Sequence, residues 1–484
     1  MLSKIIRVVV ICFPVFFVFS HTPKAYSKKN KYLVNVPVTT LYEECSTGSK
    51  YVTQAVYGHQ IYLIESKKDG WALLETDDGS RGYGVQKELI IDNPRWRTSQ
   101  RLCKTKSIGA MVYLVADTEW PALMRLPYDA RIELDIDYNQ NTDRWLSAQL
   151  INGKKVWIQR GDVEKITPKT FDEIIALAHQ FQGLPYIWGG TSSEGYDCSG
   201  YIQTLFKQMG VLLPRDSRPQ SDSDKLLKLD APTLPGDILF WGRTNIGHVG
   251  LYLGKERFIH SGVWSHYPKI GIGNLHAAPC KLLAVRRIRP PVYESSIFQI
   301  DKNILKKMVF SWRENNPVPL SDLRYVRLTH WGFDGCVHEG EFIVHEKVAK
   351  EVIEIFQELF EKKYPIEKML LIDIYKADDD LSCEDNNTCC FCSRPFTGKN
   401  DEWSMHSYGL AIDINPLLNP YYNKAFRTEG IIGEEFLERT LDCRGMIKKD
   451  DDCYKAFTSR GWKWAGHWYE ERGYVDYQHF YKEL

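Results

Sequence analysis

Gly195-Tyr196-Asp197-Cys198-Ser199-Gly200-Tyr201-Ile202-Gln203 sets a cysteine between an acidic residue and a segment with helical spacing, SGYIQTLFKQMG. A thiol attacks a carbonyl only as thiolate, so it needs a neighbour to take its proton, and a helix N-terminus further favours the anion. Working outward, His248 in GHVGLYLG is the candidate base, and His260 in FIHS is the candidate orienter that holds the imidazole in its useful tautomer. The two histidines are twelve residues apart, and Tyr186 precedes Cys198 by the same interval. The flanks set the fold. FDEIIALA from Phe171 has helical spacing, a Gly/Pro-punctuated loop leads to DCSG, and the runs GDILFW, HVGLYLG, RFIHSG and LLAVRRI read as strands. A helix carrying the nucleophile ahead of a sheet carrying histidines is an α+β arrangement.

A second, chemically unrelated pattern follows. His406 and Asp413 in MHSYGLAIDIN are seven residues apart, and Asp476 and His479 stand in DYQHF near the C-terminus. A hydrolytic zinc wants three protein ligands, an open position for water and a carboxylate close by to take a proton. His406, Asp413 and His479 fit as ligands and Asp476 fits as base. The chain therefore reads as two hydrolases in tandem. His330, His338, His345 and His467 lie nearby and read as packing or surface groups.

At 484 residues the chain is too long for one ordinary core, and two to four domains are expected. Lys4 and Arg7, the apolar run Ile5 to Phe19 and then Ala25-Tyr26-Ser27 have the layout of a secretory signal. That run falls short of the roughly 20 residues a membrane-spanning helix needs, though an uncleaved anchor is the alternative. The expectation is a secreted, periplasmic or cell-wall-associated protein without stable membrane insertion. Lys and Arg number 62 against 62 Asp and Glu, and loss of Lys4, Arg7 and Lys24 with the leader leaves 59 against 62, a net charge of −3. Nucleic acid is not an expected partner. Of the 12 cysteines, Cys12 leaves with the leader; setting Cys198 aside, ten remain, enough for up to five disulfides in an oxidising compartment. Cys389-Cys390-x-Cys392 suggests a structural zinc knot, but its spacing fits no common motif.

From Lys31 to about Lys165 short alternating runs separated by Gly, Asp and Asn turns read as all-β. GSRGYGVQKELI near residue 85 and GKKVWIQRGDVEKI near residue 158 end alike, as in a weak tandem repeat. Pro290-Pro291 marks a linker. Beyond it, VHEKVAKEVIEIFQELFEKKYPI places Val348, Val352, Phe356 and Leu359 on one helical face stopped by Pro365, and MLLIDIYKADDD reads as a strand.

The N-terminal repeat resembles tandem bacterial SH3-like barrels. PYIWGG, DCSG, LPRDS and PGDILFW, with the histidines, resemble the NlpC/p60 cell-wall peptidases over about residues 170–290. That resemblance implies a papain-like α+β domain with Cys198 as nucleophile, His248 and His260 as base and orienter, and Tyr186 helping to bind the oxyanion. It also implies cleavage between γ-D-Glu and a diamino acid in peptidoglycan stem peptides. Asp197, Ser199 and the Arg215-Asp216-Ser217 segment match positions that recognise substrate, with Asp197 suited to a substrate ammonium. LSDLRYV, GEFIVHEKVA, NNTCCFCSR, SMHSYGLAIDINPLLNPY, GWKWAGHW and DYQHF resemble the D-Ala-D-Ala carboxypeptidase/VanY and L-Ala-D-Glu endopeptidase zinc enzymes. This implies Zn2+ on His406, Asp413 and His479, Asp476 as base, and Arg394 on the substrate carbonyl. The three cysteines of the CCFC loop depart from that family's small or apolar residues.

The implied layout is a signal at 1–27, SH3-like domains at 28–95 and 96–167, a cysteine peptidase at 168–290, a lead-in at 291–317 and an α+β zinc peptidase at 318–484. The implied function is a bifunctional peptidoglycan hydrolase acting on stem peptides or muropeptides. The alternatives are a wall-binding protein with one active domain and a secreted wall-degrading effector. Oligomeric state stays open.

Overall fold

A seven-stranded sheet opens the fold and is then repeated. Its strands are β1 (Asn30–Val34), β2 (Val38–Tyr42), β3 (Tyr51–Val56), β4 (Gln60–Ser66), β5 (Trp71–Glu75), β6 (Arg81–Val85) and β7 (Leu89–Ile91). The next seven are β8 (Leu102–Thr105), β9 (Gly109–Tyr113), β10 (Met124–Pro127), β11 (Arg131–Leu134), β12 (Trp145–Gln149), β13 (Lys155–Gln159) and β14 (Val163–Lys165). The computed structural model describes residues 30–484 except 141, 265–266, 397–398, 424–430 and 469–472, so the expected leader lies outside the described residues.

Spatial order is β3-β2-β6-β5-β4-β1-β7 in the first β unit and β10-β9-β13-β12-β11-β8-β14 in the second, the same order twice. Register agrees as well: Tyr83 lies opposite Tyr42 and Leu73, and Trp157 lies opposite Tyr113 and Ser147. Both equivalent hairpins turn at a glycine with positive φ, Gly79 at 80° and Gly153 at 79°, where a side chain would be strained. Ala72 and Leu74, and their counterparts Leu146 and Ala148, point into separate cores while the residues between them face outward. The likeness of two short sequences thus extends to whole sheets.

Helix α1 (Pro94–Thr98), N-capped by Asn93, follows the first β unit and clamps it to the C-terminal part of the chain. Buried Arg97 donates to Asp92 at 3.2 Å and to Glu367 at 2.7 Å. The Gln100 N–H donates to the Asp442 carbonyl at 3.0 Å, the Arg444 N–H to the Thr98 carbonyl at 2.7 Å, and Lys31 pairs with Asp385 at 2.8 Å. Removing one partner of a buried pair of this kind typically costs about 3–5 kcal/mol, because the other charge is left unpaired.

The third unit begins with α2 (Phe171–Gln180), whose Thr170 and Glu173 cap one another. The hairpin β15 (Thr191–Ser192) and β16 (Gly195–Tyr196) leads into α3 (Cys198–Lys207), followed by α4 (Ser217–Ser221). A six-stranded antiparallel sheet then forms from β17 (Leu226–Leu229), β18 (Ile238–Gly242), β19 (Ile246–Gly254), β20 (Arg257–Gly262), β21 (Lys269–Asn274) and β22 (Lys281–Ile288), in the order β17-β22-β18-β19-β20-β21. Tyr201, Ile202, Leu205 and Phe206 of α3 join Val249, Leu251 and Ile259 of the sheet in one buried cluster. Each such buried side chain contributes about 1.5–3 kcal/mol, so the nucleophile helix is fixed against the histidine-bearing strands.

After Pro290-Pro291 the chain enters a three-stranded sheet, β23 (Ser295–Gln299), β24 (Leu323–Trp331) and β25 (Val337–His345), with α5 (Lys302–Leu305) between the first two strands. Helix α6 (Ala349–Glu361) packs on it, and Val348, Val352, Phe356 and Leu359, expected on one face, are all buried. MLLIDIYKADDD is not a strand. Ile372–Tyr375 is a 3-10 turn and α7 (Asp379–Glu384) follows. Ile372 and Tyr375, three apart, are both buried, and Asp373 accepts from the Phe310 and Ser311 N–H groups at 2.7 and 3.0 Å, which fixes a turn rather than an extended ladder. Short strands complete the unit: β26 (Pro395–Phe396), β27 (Lys399–Trp403), β28 (Ala411–Asp413), β29 (Tyr421–Asn423), β30 (Lys463–Trp464), β31 (Tyr474–Asp476) and β32 (His479–Tyr481). All eleven described cysteines are free thiols, so the expected disulfides do not form here. Among the described residues, no helix is long and apolar enough to cross a membrane.

Candidate active sites

Cys198 is the first residue of α3, after the N-cap Asp197, whose carboxylate accepts from the Gly200 N–H at 2.7 Å. Gly200 is a steric requirement: a Cβ there would lie 2.3 Å from the Gly190 carbonyl oxygen. Burial pushes the Cys198 thiol up to about 12, with Asp197 adding to the rise and the backbone N–H groups of Val249 and Ser199 opposing it. His248 on β19 and His260 on β20 face each other with Nε2 and Nδ1 2.8 Å apart. Burial pushes His248 down to about 3, with His260 as a second cause, and His260 down to about 4. The resting site therefore holds a neutral thiol and neutral imidazoles. Because His260 occupies the Nε2 side of His248, Nδ1 is the ring nitrogen outside that pair.

Two contacts at this site have no signature in the sequence. The Trp264 ring lies 4.3 Å from His248 and 4.8 Å from His260, centroid to centroid, and covers the pair. Gly262 backs it, since a Cβ there would come within 2.4 Å of His260 Nδ1 and 3.3 Å of His248 Cε1. Tyr186 is half-buried; burial holds its phenol protonated above the ordinary range, with Cys198 and Asp197 adding to the effect.

Asp197 is tied into a local hydrogen-bond network. Its oxygens accept from Gly200 N–H, from Gly189 N–H at 3.0 Å, from Ser199 Oγ at 3.2 Å, and from Arg215 Nη1 and Nη2 at 3.0 and 2.5 Å. Ser199 Oγ also accepts from Arg215 Nη1 at 3.1 Å, so Asp197, Ser199 and Arg215 form one buried scaffold. Asp216 is exposed and makes no cap for the short α4, and Ser217 follows it half-buried.

The second site lies in the small sheet β28-β32-β30. Asp413 and His479 are registered partners across β28 and β32, and His406 sits on the 3-10 turn Met405–Tyr408 just before β28. His479 Nδ1 is 2.9 Å from Asp413 Oδ1, His406 Nε2 is 3.1 Å from Asp413 Oδ2, and the two imidazole nitrogens are 3.2 Å apart. All three residues are buried and their ligand atoms converge on one point. His406 Nδ1–H donates to the Cys390 carbonyl, which leaves Nε2 as the lone-pair nitrogen facing the other two. Both imidazoles hold Asp413 ionised, well below the usual carboxylate range. This donor set fits a divalent ion of the zinc class.

Asp476 on β31 has a buried Oδ1 without a partner, and burial beside Asp413 pushes its carboxyl up to about 7, against the opposing pull of His479. Arg394 pairs with Asp379 at 2.8 Å, while its buried Nε has no partner. The CCFC loop is the backbone wall of the site: Cys389 exchanges both backbone hydrogen bonds with Asp413, and the Cys392 N–H donates to the His406 carbonyl. Sequence suggested only thiol chemistry for this loop, because a carbonyl leaves no trace in residue type.

The chain thus sets the Cys198 helix against the strands that carry His248 and His260 and gathers His406, Asp413 and His479 elsewhere in the fold. Residues 183–281 match the NlpC/P60 family, and residues 397–482 match the family described as D-alanyl-D-alanine carboxypeptidase. The chain is similar to the gamma-D-glutamyl-L-lysine dipeptidyl-peptidase of Bacillus cereus, at 28% identity over 240 residues covering 45% of this chain and 68% of that protein. It is similar to dipeptidyl-peptidase 6 of Lysinibacillus sphaericus, at 25% identity over 244 residues covering 48% and 87%. Among solved structures, an NlpC/P60 family protein from Bacillus cereus aligns at 24% identity over 54% of this chain and 100% of that chain, with a TM-score of 0.47.

Proposed function

We propose that the chain is an exported, bifunctional peptidoglycan hydrolase in which each peptidase-type domain cuts a different bond of the stem peptide. The observations that support this reading are the His248–His260 pair on the strands packed against the Cys198 helix and the converging His406, Asp413 and His479. The name of the Bacillus cereus relative supports γ-D-Glu–diamino acid as the bond cut by the cysteine domain.

In that domain the Cys198 Sγ–H proton passes to His248 Nδ1 as sulfur attacks the γ-carbonyl carbon of D-Glu. His260 accepts from His248 Nε2–H and keeps the ring in that tautomer. The Tyr186 hydroxyl donates to the developing oxyanion. The imidazolium then protonates the leaving amine, the C–N bond breaks and a thioester remains. Water, deprotonated by His248, hydrolyses the thioester and restores the thiol. Asp197 and the Arg215-Asp216-Ser217 segment are assigned to recognition of a free N-terminal ammonium of the stem peptide, with Asp216 the exposed carboxylate of the group. The two β units act as SH3-like modules, and the first shapes the cleft: a Cβ on Gly189 would lie 2.5 Å from the Tyr51 carbonyl oxygen, so this unit abuts the loop leading to Cys198.

In the C-terminal domain His406 Nε2, Asp413 and His479 Nδ1 would hold zinc, which when bound supplies Lewis-acid polarisation of water and of the scissile carbonyl. Asp476, perched near neutrality, accepts a proton and returns it to the leaving amine. Arg394 orients the substrate carbonyl. A D,D-carboxypeptidase specificity is compatible with the first domain, whereas hydrolysis of L-Ala–D-Glu would destroy that domain's substrate.

Cys198→Ala and His479→Ala variants incubated with defined tri-, tetra- and pentapeptides test this. The account expects His479→Ala to retain γ-D-Glu cleavage of all three, and Cys198→Ala to release D-Ala from the pentapeptide. A Cys198→Ala chain that produces free L-Ala would assign the second bond to the endopeptidase class instead.

A further inference from the structure

A groove of about 780 Å3 adjoins the histidine pair of the cysteine domain. Its lining joins His260, Gly262 and Trp264, which surround the pair, to Lys269 and Asn274 of β21 and His179 of α2. Register fixes how these residues face. Across β20 and β21, Gly262 lies opposite Lys269, and His260 lies opposite Gly271. Cross-strand partners stand on the same face of a sheet, and so do residues two apart along a strand. The Lys269 side chain therefore rises on the face that carries the His260 imidazole, beside the glycine already pressed against both histidines. Gly271 leaves the strip next to His260 open, since a Cβ there would meet nothing within 4 Å. The start of β21 is also held from its other edge, by a bridge between Lys269 and Pro185 and by the Tyr186 N–H, which donates to the Pro268 carbonyl at 3.1 Å. Lys269 is thus anchored next to the proposed oxyanion donor.

Lys269 is exposed and is the only lysine or arginine among the described lining residues, and none of them is an aspartate or glutamate. An ammonium in such a groove attracts a carboxylate and repels a second ammonium. In the reaction proposed above, the acyl half of the substrate stays on the Cys198 sulfur and the leaving amine takes its proton from His248. The leaving segment must therefore pass within hydrogen-bond reach of His248. Trp264 covers that ring at 4.3 Å, and His260 and Gly262 flank it; these three residues also line the groove. The diamino acids of stem peptides differ at the far end of their side chain. Lysine ends in a lone ammonium, whereas diaminopimelate carries a second carboxylate on the same carbon.

We propose that this groove is the subsite for the leaving diamino acid, and that Lys269 selects diamino acids with a distal carboxylate over those ending in a lone ammonium. The inference rests on the reading of the cysteine domain as a γ-D-Glu–diamino acid peptidase, and it names the substrate class within that reading.

The test compares L-Ala-γ-D-Glu-meso-diaminopimelate with L-Ala-γ-D-Glu-L-lysine, each amidated at the α-carboxyl of the third residue so that the distal carboxylate is the only difference. Binding is read by calorimetry on the full chain carrying Cys198→Ala, and kcat/KM on the active chain. The Cys198→Ala chain should bind the diaminopimelate peptide about fivefold more tightly, a margin that shrinks at high salt. Adding Lys269→Ala should bring the two affinities together, Lys269→Arg should keep the preference, and Lys269→Glu should invert it. The kcat/KM values of the active chain should follow the same order. Equal affinity for the two peptides without a substitution at Lys269, or a preference that survives Lys269→Glu, would overturn the inference. So would failure to bind either peptide. If Lys269→Glu does not fold, Lys269→Ala decides. Binding with the expected preference but no cleavage by the active chain would sink the peptidase reading and leave the subsite standing.

Discussion

The two candidate sites solve opposite electrostatic problems with similar backbone means. Around Cys198 burial keeps every reacting group neutral, with the thiol up at about 12 and the histidines down at about 3 and 4. Around Asp413 two imidazoles keep a buried carboxylate charged. Antiparallel strands serve both places: neighbouring β19 and β20 carry His248 and His260, and register across β28 and β32 sets Asp413 opposite His479. A nucleophile that must stay protonated until substrate arrives is served by a dry site, whereas a set that must hold a cation needs charge in place beforehand. The chemistry therefore follows from what surrounds each pair.

The sharpest break of this comparison is substitution at one site with readout at both. Cys198→Ala should abolish chelator-resistant cleavage, a loss of about a thousandfold or more, and leave chelator-sensitive cleavage intact. His479→Ala should do the reverse. A variant at either site that silences both products would show that the domains act as one unit.

Gly262→Ala is expected to be smaller and confined to the cysteine site. The added Cβ, 2.4 Å from His260 Nδ1, must displace the orienter and misplace His248 by a fraction of an ångström, costing about a hundredfold in kcat. Stability should fall by a small fraction of the effect seen for Arg97→Ala, whose buried partners Asp92 and Glu367 would be stranded. Equal thermal destabilisation in the two variants would contradict the assignment of Gly262 to the dyad.

The gentlest test is acid stability. Burial holds His248 and His260 near 3 and 4, below their ordinary 6.5. The unfolded chain binds protons there that the fold excludes, so their contribution to stability is full above pH 6.5 and is lost as pH falls toward 3. Thermal melts from pH 7 to pH 4 should show this slope, and His248→Asn/His260→Asn should flatten it. An unchanged slope in that variant would mean that these two imidazoles are not what acid attacks.

Much of this was legible in the sequence where chemistry and local pattern coincide. Cys198 at a helix start, histidines on successive strands, and the apolar face of α6 are each carried by residue type and spacing. What escaped depends on neighbours that residue type does not encode. The pairing of Asp197 with Arg215, eighteen residues on, has no trace in the local pattern. The CCFC loop suggested thiols, yet its part in the metal site is a carbonyl. Ile372 and Tyr375 resembled a strand because a short apolar run has no period of its own, and Asp373 made it a turn. Trp264 follows the histidine strand with no motif around it, and only packing puts it over the dyad.

The central claim, two independent peptidases on one chain, is tested most directly by mass spectrometry of muropeptides digested by the protein with and without a chelator. The account expects one set of fragments, cut after γ-D-Glu, that persists with chelator and a second that disappears. Identical product spectra in both conditions would contradict it and leave the C-terminal domain without a working metal site on this substrate.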